Sequence, residues 1–325
     1  MRRLSAEFRP YAWAISTASA ARIAGIRPDE VLRFDANTAP APPEAAGIAA
    51  VADALGGVHG YAHGGFPELV AAIASYAGVD SQNVVLGAGA DDLILLAARA
   101  FAGPGDGVAI VDEPTYPLFR VAAWLAGAEI GDDRRAFTFC CRPHNPTGAV
   151  GEIPPARPLV VDEAYYEYCG ESAALLDDGV VVIRTFSKAF GLAGARIGYA
   201  LAEPVTASEL NARQAPAPIS TLSAALALAV LARPPDVRPL IEERERLAAR
   251  LRELGLEPLP SRANFLYVPL GRAPEVSRLL LAGGMVVRDY PDAIRVTVLD
   301  RAANERLVDA LTRAMEGAAD DDSPP

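Results

Sequence analysis

From about residue 47 to residue 200 the chain alternates short apolar runs with longer stretches whose apolar positions recur every three or four residues. The short runs are rich in Val, Ile and Leu and predict strands at Asn83–Leu86, Gly107–Val111, Leu159–Val161, Val180–Thr185 and Ile197–Leu201. The amphipathic stretches predict helices at about 67–77, 91–102 and 116–126. Runs such as Val180-Val181-Val182-Ile183 are apolar at every position rather than every second one, as a sheet buried on both faces requires. Strands alternating with helices in this way indicate an α/β layer fold with a mostly parallel sheet.

Past Arg213 the pattern changes. Two long helices are predicted at about 219–232 and 236–254, the second opened by Pro234-Pro235-Asp236. A strand at 264–268, a helix at 274–282, strands at 285–288 and 293–298 and a helix at 302–315 follow. The expected organisation is therefore an arm (1–46), a large domain (47–212), a smaller α/β domain (213–316) and an acidic disordered tail (317–325). The arm holds one short helical stretch and then Phe34-Asp35-Ala36-Asn37-Thr38-Ala39-Pro40-Ala41-Pro42-Pro43, which its prolines keep extended.

Composition narrows the function classes. Half of the 325 residues are hydrophobic, enough for two cores, yet no apolar run reaches the ~20 residues that span a bilayer. The first ten residues lack a signal peptide's apolar stretch, so a cytoplasmic location is the simplest expectation. A net charge of −11 with dispersed arginines argues against a nucleic-acid partner. Cys140, Cys141 and Cys169 form no metal or redox spacing and read as buried, reduced thiols. His59 and His63 have helical i,i+4 spacing, but Gly60, Gly64 and Gly65 around them predict a loop rather than a metal pair.

Of thirty basic residues, Lys188 is the single lysine. Arginine serves ion pairs and phosphate clamps equally well, but it cannot release a proton and attack a carbonyl to form a Schiff base. Lys188 lies in Arg184-Thr185-Phe186-Ser187-Lys188-Ala189-Phe190-Gly191-Leu192-Ala193-Gly194-Ala195-Arg196, where a hydroxyl and an arginine flank the amine. Four other segments carry candidate chemistry. Leu86-Gly87-Ala88-Gly89-Ala90-Asp91-Asp92 ends a strand in glycines before a helix, which suits an anion, or equally a turn capped by Asp91. Arg142-Pro143-His144-Asn145-Pro146-Thr147-Gly148 is an ordered turn that can fix the Asn145 amide. Asp162, in Val160-Val161-Asp162-Glu163-Ala164-Tyr165, ends a buried strand where open α/β sheets bind ligands; a helix cap is the competing reading. Tyr116, in Glu113-Pro114-Thr115-Tyr116-Pro117, can stack on a planar ring.

In order and spacing these segments resemble the fold-type I pyridoxal-phosphate enzymes, specifically the class I/II aminotransferases, and within them the histidinol-phosphate aminotransferase group. The resemblance spans nearly the whole chain, from Asp35-Ala36-Asn37 to Ile294-Arg295-Val296-Thr297-Val298. It implies a large domain with a mostly parallel sheet, a smaller C-terminal α/β domain and pyridoxal 5'-phosphate as cofactor. It implies that Lys188 holds the cofactor as an aldimine and then moves the proton at the substrate, and that Asp162 pairs with the ring nitrogen. By the same resemblance Asn145 and Tyr165 bond the ring oxygen, and Tyr116 stacks on the ring. Gly89, Ala90, Asp91, Ser187 and Arg196 would hold the phosphate, with Tyr61 reaching it from the partner of a homodimer. Arg295 would grip the substrate α-carboxylate in a two-pronged contact, beside Asn37 and Asn145. The implied reaction is transamination between a small-molecule amino donor, histidinol phosphate, and a 2-oxo acid, 2-oxoglutarate.

Departures from the family pattern bear on substrate more than on cofactor. Asn37-Thr38-Ala39-Pro40 stands where relatives have Asn-Glu-Asn-Pro, Ala90 where a serine is common, and Ala217 between two prolines where an aromatic is common. The stretches 129–142 and 148–160 are short, predicting lost pieces at the sheet edge. A decarboxylase of a phosphorylated amino acid, such as threonine phosphate, and an aminotransferase for aromatic amino acids remain alternatives. A cofactor-binding protein without turnover is a third, against which intact Lys188, Asp162, Tyr165 and Arg196 count.

Overall fold

The computed structural model describes residues 7–41, 45–62, 64–174 and 178–320. His63 and residues 321–325 of the expected tail therefore lie outside the described residues. In chain order the elements begin with α1 (Thr17–Ala24), β1 (Leu32–Arg33), α2 (Ala45–Leu55), α3 (Pro67–Ala77), β2 (Val84–Gly87) and α4 (Ala90–Phe101). Next come β3 (Gly107–Ile110), α5 (Leu118–Ala126), β4 (Glu129–Ile130), β5 (Arg135–Cys141), β6 (Leu159–Asp162), α6 (Tyr166–Cys169), β7 (Val180–Thr185) and β8 (Gly198–Leu201). The chain continues with α7 (Pro204–Ala212), α8 (Thr221–Leu231), α9 (Arg238–Glu253), β9 (Phe265–Pro269) and α10 (Ala273–Ala282). It closes with β10 (Met285–Val286), β11 (Arg288–Tyr290), β12 (Ala293–Thr297) and α11 (Arg301–Asp320).

The chain divides into two units. The first comprises residues 1–11, 41–145 and 151–235 and is built on a seven-stranded sheet of order β2-β8-β7-β6-β5-β3-β4. β8 runs antiparallel to both its neighbours, and the remaining pairs are parallel. All residues of β6 and β7 are buried, as the apolar runs Leu159–Val161 and Val180–Ile183 that open them lead one to expect. One core cluster joins Val160, Val181 and Ile183 of the sheet to Ile94 and Ala97 of α4 and to Phe119 of α5. Phe119 and Phe139 stack at 4.6 Å between centroids. β5 is a difference from the expected strands: it lies in mid-sheet between β3 and β6, and its alternation Phe137-Thr138-Phe139 was its signal. The short 129–142 stretch thus keeps a full strand, with the two-residue β4 at the sheet edge.

The second unit comprises residues 12–40, 146–150 and 236–325. β11-β12-β9 form an antiparallel sheet, and β1 pairs in parallel with β10. Its core gathers Phe34, Leu247, Leu251, Leu266, Val268, Ile294, Val296, Leu307 and Leu311. Phe34, fully buried, brings the arm into this core, so residues 12–40 belong to the second unit rather than forming a separate arm. The main block of that unit also begins later in the chain than the expected residue 213, because α8 packs on α2 and α3 of the first unit. α11 runs on to Asp320, four residues into the expected tail.

Candidate active site

The segments that follow β2, β3, β5, β6 and β7 carry most of the candidate residues of the first unit. At the end of β2 the backbone turns through Gly89, whose φ of +88° suits glycine, and α4 begins at Ala90. A Cβ on Gly89 would lie 2.7 Å from Arg196 Nη2. A Cβ on Gly198 would lie 3.1 Å from the Ala90 nitrogen and 2.7 Å from the Arg184 carbonyl oxygen. Two glycines therefore let β8 and the Arg196 guanidinium press against the first turn of α4. That turn presents backbone N–H groups and the positive end of a helix.

Asp91 joins three candidates. Its Oδ1 accepts from the Tyr116 hydroxyl at 2.8 Å, and its Oδ2 pairs with Arg196 Nη2 at 2.9 Å. Both members of the ion pair are nearly half exposed, so the pair itself contributes little stability. Arg196 adopts φ of +51°, a left-handed conformation that costs a non-glycine residue free energy and places its side chain at the helix start. Tyr116 is largely buried, meeting Tyr11 and Phe119 edge-on, and burial next to Asp91 pushes its hydroxyl pKa up. Ser187 is buried after β7, where Thr185 Oγ1 donates to Ser187 Oγ at 2.9 Å and accepts from the Ser187 N–H at 3.1 Å.

Asp162 ends β6 and is 4% exposed. Burial pushes its carboxyl up to about 7; the Ala164 N–H at 3.0 Å and the Lys188 charge oppose this, and the Asp91 and Glu163 charges add to it. A carboxylate so desolvated is favoured in its charged form by an adjacent cation. Lys188 Nζ stands 5.8 Å from the centroid of the buried Tyr165 ring. Asn145 ends the 41–145 segment of the first unit in a turn, where its backbone bonds the Cys141 thiol. Cys140, Cys141 and Cys169 are buried and form no disulfide among the described residues. Tyr61 is 84% exposed, so the structure does not bring it to the other candidates within one chain.

Arg295 and Asn37 belong to the second unit. Arg295 is buried on β12, donates from Nη2 to the Asp35 carbonyl at 2.6 Å and lies over the Phe265 ring at 5.2 Å. Asn37, 1% exposed, has φ of +51°; its N–H donates to Thr297 Oγ1 at 2.9 Å and its carbonyl accepts from Asn264 Nδ2 at 3.1 Å. Motifs alone do not mark Thr185, Thr297, Asn264 or Gly198, whose importance comes from neighbours they meet only in the fold. Among the described residues no group of three or more His, Cys, Asp or Glu side chains is disposed to hold a metal ion.

The first unit's donor set fits pyridoxal phosphate. A lysine amine can bond an aldehyde, a desolvated carboxylate suits a protonated ring nitrogen, and a glycine-lined helix start with Arg196 and Ser187 suits a phosphate. Residues 30–311 match the family described as aminotransferase class I and II. The chain belongs to that family. Its members are pyridoxal-phosphate-dependent enzymes acting on small molecules, and this aminotransferase shares their α/β fold. A histidinol-phosphate aminotransferase of Symbiobacterium thermophilum is 34% identical over 329 residues, covering 88% of this chain and 91% of that protein. Histidinol-phosphate aminotransferase 2 of Pseudomonas fluorescens is 32% identical and covers 92% of each chain. The solved structure of histidinol-phosphate aminotransferase from Sinorhizobium meliloti in complex with pyridoxal-5'-phosphate superposes with a TM-score of 0.84 at 25% identity. The match covers 97% of this aminotransferase and 99% of that chain. No described helix is long and apolar enough to cross a membrane.

Proposed function

We propose that this aminotransferase takes histidinol phosphate as amino donor and 2-oxoglutarate as acceptor, and that it works as a homodimer. Similarity along almost the full length of relatives bearing that name supports the donor. The observation that carries the site assignment is the buried Asp162 carboxylate within electrostatic reach of Lys188, the chain's single lysine.

When bound, pyridoxal phosphate supplies an electron sink for the carbanion left at the substrate Cα. In this reading Lys188 would hold the cofactor through Nζ, and its amine would be the base placed to take the proton from the substrate Cα. Asp162 would hold the proton on the ring nitrogen, and Tyr165 and Asn145 would donate to the ring oxygen. Tyr116, held by its hydrogen bond to Asp91, would stack on the ring. The first turn of α4 at Gly89, Ala90 and Asp91, with Ser187 and Arg196, receives the phosphate. Arg295 receives the substrate α-carboxylate, the pairing best suited to a buried guanidinium, with Asn37 beside it. Tyr61, exposed within its own chain, reaches the phosphate held by the partner.

A donor screen tests the proposal. Purified holoprotein is mixed in turn with histidinol phosphate, aromatic amino acids and threonine phosphate, and the long-wavelength absorbance of the lysine-bound cofactor is followed. Histidinol phosphate is expected to bleach the band, and 2-oxoglutarate to restore it. Carbon dioxide release from threonine phosphate without an acceptor would instead make the protein a decarboxylase. The Lys188→Ala variant is expected to bind cofactor without turnover, and borohydride treatment of wild type to attach the cofactor at Lys188. Wild-type turnover by that variant would refute the assignment.

A further inference from the structure

Glu163 sits between Asp162 and the Ala164-Tyr165 turn, and Arg184 lies four residues before Lys188. Both side chains are buried, at 0% and 2% exposure, and they form an ion pair in which Arg184 Nε donates to Glu163 Oε2 at 3.0 Å. Ser172 closes the pair into a ring: its hydroxyl donates to Glu163 Oε2 at 2.9 Å and accepts from Arg184 Nη2 at 2.6 Å. The second carboxylate oxygen accepts the Ala173 N–H at 2.5 Å. The guanidinium also lies 3.4 Å above the Tyr166 ring, next to Tyr165 in the chain.

The location matters because the backbone ladder ends there. β6 and β7 pair as far as Asp162 and Ile183, and one further bond, Glu163 N–H to the Ile183 carbonyl at 2.8 Å, closes the ladder. Beyond that point Glu163, Arg184 and Ser172 link the segment that follows β6 to the end of β7 through their side chains. Stability does not explain the choice, since apolar residues of similar volume do as well as a buried ion pair or better. What the pair supplies is geometry, because the planar guanidinium fork admits few arrangements around a carboxylate.

We propose that Glu163 and Arg184 are positioning residues: their ion pair, closed through Ser172, fixes the Asp162–Tyr165 turn relative to the Lys188 segment and so sets cofactor affinity. This rests on the reading in which Lys188 carries pyridoxal phosphate. The test compares wild type with Glu163→Gln, the double variant Glu163→Met/Arg184→Met, and Arg184→Lys, which keeps the charge and loses the fork. Arg244→Met, at a buried arginine of the second unit, controls for general destabilisation. Thermal unfolding is measured without cofactor, the dissociation constant for pyridoxal phosphate by titrating apoprotein, and visible circular dichroism on the loaded protein.

The double variant, which leaves the Ala173 N–H without its acceptor, is expected to unfold below the wild-type temperature and to bind cofactor about tenfold more weakly, a loss of the size seen when groups orienting metal ligands are removed. Its circular dichroism band is expected to change in intensity. Arg184→Lys is expected to show the same changes in affinity and band, and it decides the matter if the other variants do not fold. Arg244→Met is expected to lower the unfolding temperature while leaving the dissociation constant alone. Wild-type affinity and an unaltered band in every folded variant at the pair would overturn the positioning role while leaving the aminotransferase reading intact. Failure of wild type itself to carry cofactor on Lys188 would remove both.

Discussion

At the scale of single residues, the free energy stored at Asp162 is the most informative quantity. An acid whose carboxyl is pushed from an ordinary 3.8 to about 7 keeps its proton in the folded chain after the unfolded chain has released it. Rising pH between those two values therefore costs the apoprotein stability, roughly 1.4 kcal/mol for every tenfold fall in proton concentration. The loss is complete above about 7 and absent below the unfolded value. Asp162→Asn removes the titration while its side-chain oxygen can still accept the Ala164 N–H. The apoprotein of that variant is expected to melt above wild type at pH 8 and near it at pH 4, and, on the proposed pairing of Asp162 with the ring nitrogen, to bind cofactor more weakly. Unfolding curves at the two pH values, with and without pyridoxal phosphate, check both halves. An unchanged pH dependence would mean that Asp162 is not the strained group. A functional carboxylate that weakens the empty protein and strengthens the loaded one is the expected trade at a pre-organised site.

At the scale of elements, the start of α4 depends on how closely β8 approaches it. Gly198 is the contact point, since a Cβ there would meet the Arg184 carbonyl at 2.7 Å and the Gly89 backbone at 3.0 Å, and backbone cannot rotate aside. Gly198→Ala is expected to cost roughly 1–3 kcal/mol, the usual range for overpacking. On the proposed assignment of that turn to the phosphate, it is expected to weaken pyridoxal phosphate binding more than that of pyridoxal. Equal losses for the two ligands would place the damage elsewhere. Nothing in the sequence around Gly198 marks it as a close approach, for its neighbours are Gly89 and Arg184, remote in the chain. What local pattern does record is the strand endings: Val84–Gly87, Leu159–Asp162 and Val180–Thr185 stand within a residue or two of expectation, because burial on both faces writes itself into every position. It fails where partners change. The expected strand at 285–288 is two strands, β10 paired with β1 and β11 paired with β12, a switch at Val287 that no local periodicity expresses. The same cause hid the arm's membership of the second unit, which rests on the long-range pairing of Leu32 with Met285.

At the scale of the whole molecule, Tyr61 remains to be accounted for. A tyrosine 84% exposed, preceded by Val58 at 56% and Leu55 at 52%, presents a strip of apolar surface to solvent. Covering that strip with a second copy would both bury it and bring a hydroxyl to the other copy's phosphate. Under two-fold symmetry each site then draws Lys188 from one subunit and Tyr61 from the other. Mixing two defective proteins tests this directly. Tyr61→Ala alone is expected to transaminate poorly at low cofactor concentration, and Lys188→Ala not at all. In a mixed dimer, the subunit carrying Tyr61→Ala keeps its own Lys188 and receives an intact Tyr61 from its partner, so one complete site is rebuilt and the other carries both defects. After subunit exchange at equal amounts, random pairing gives roughly a quarter of the wild-type density of complete sites. Activity at low cofactor should therefore rise above that of the unmixed proteins and grow as exchange proceeds, as checked by assay alongside sedimentation. If activity after exchange merely averages the two parents, Tyr61 serves the site of its own chain or none, and the shared-site dimer falls while the assignments at Lys188 and Asp162 stand.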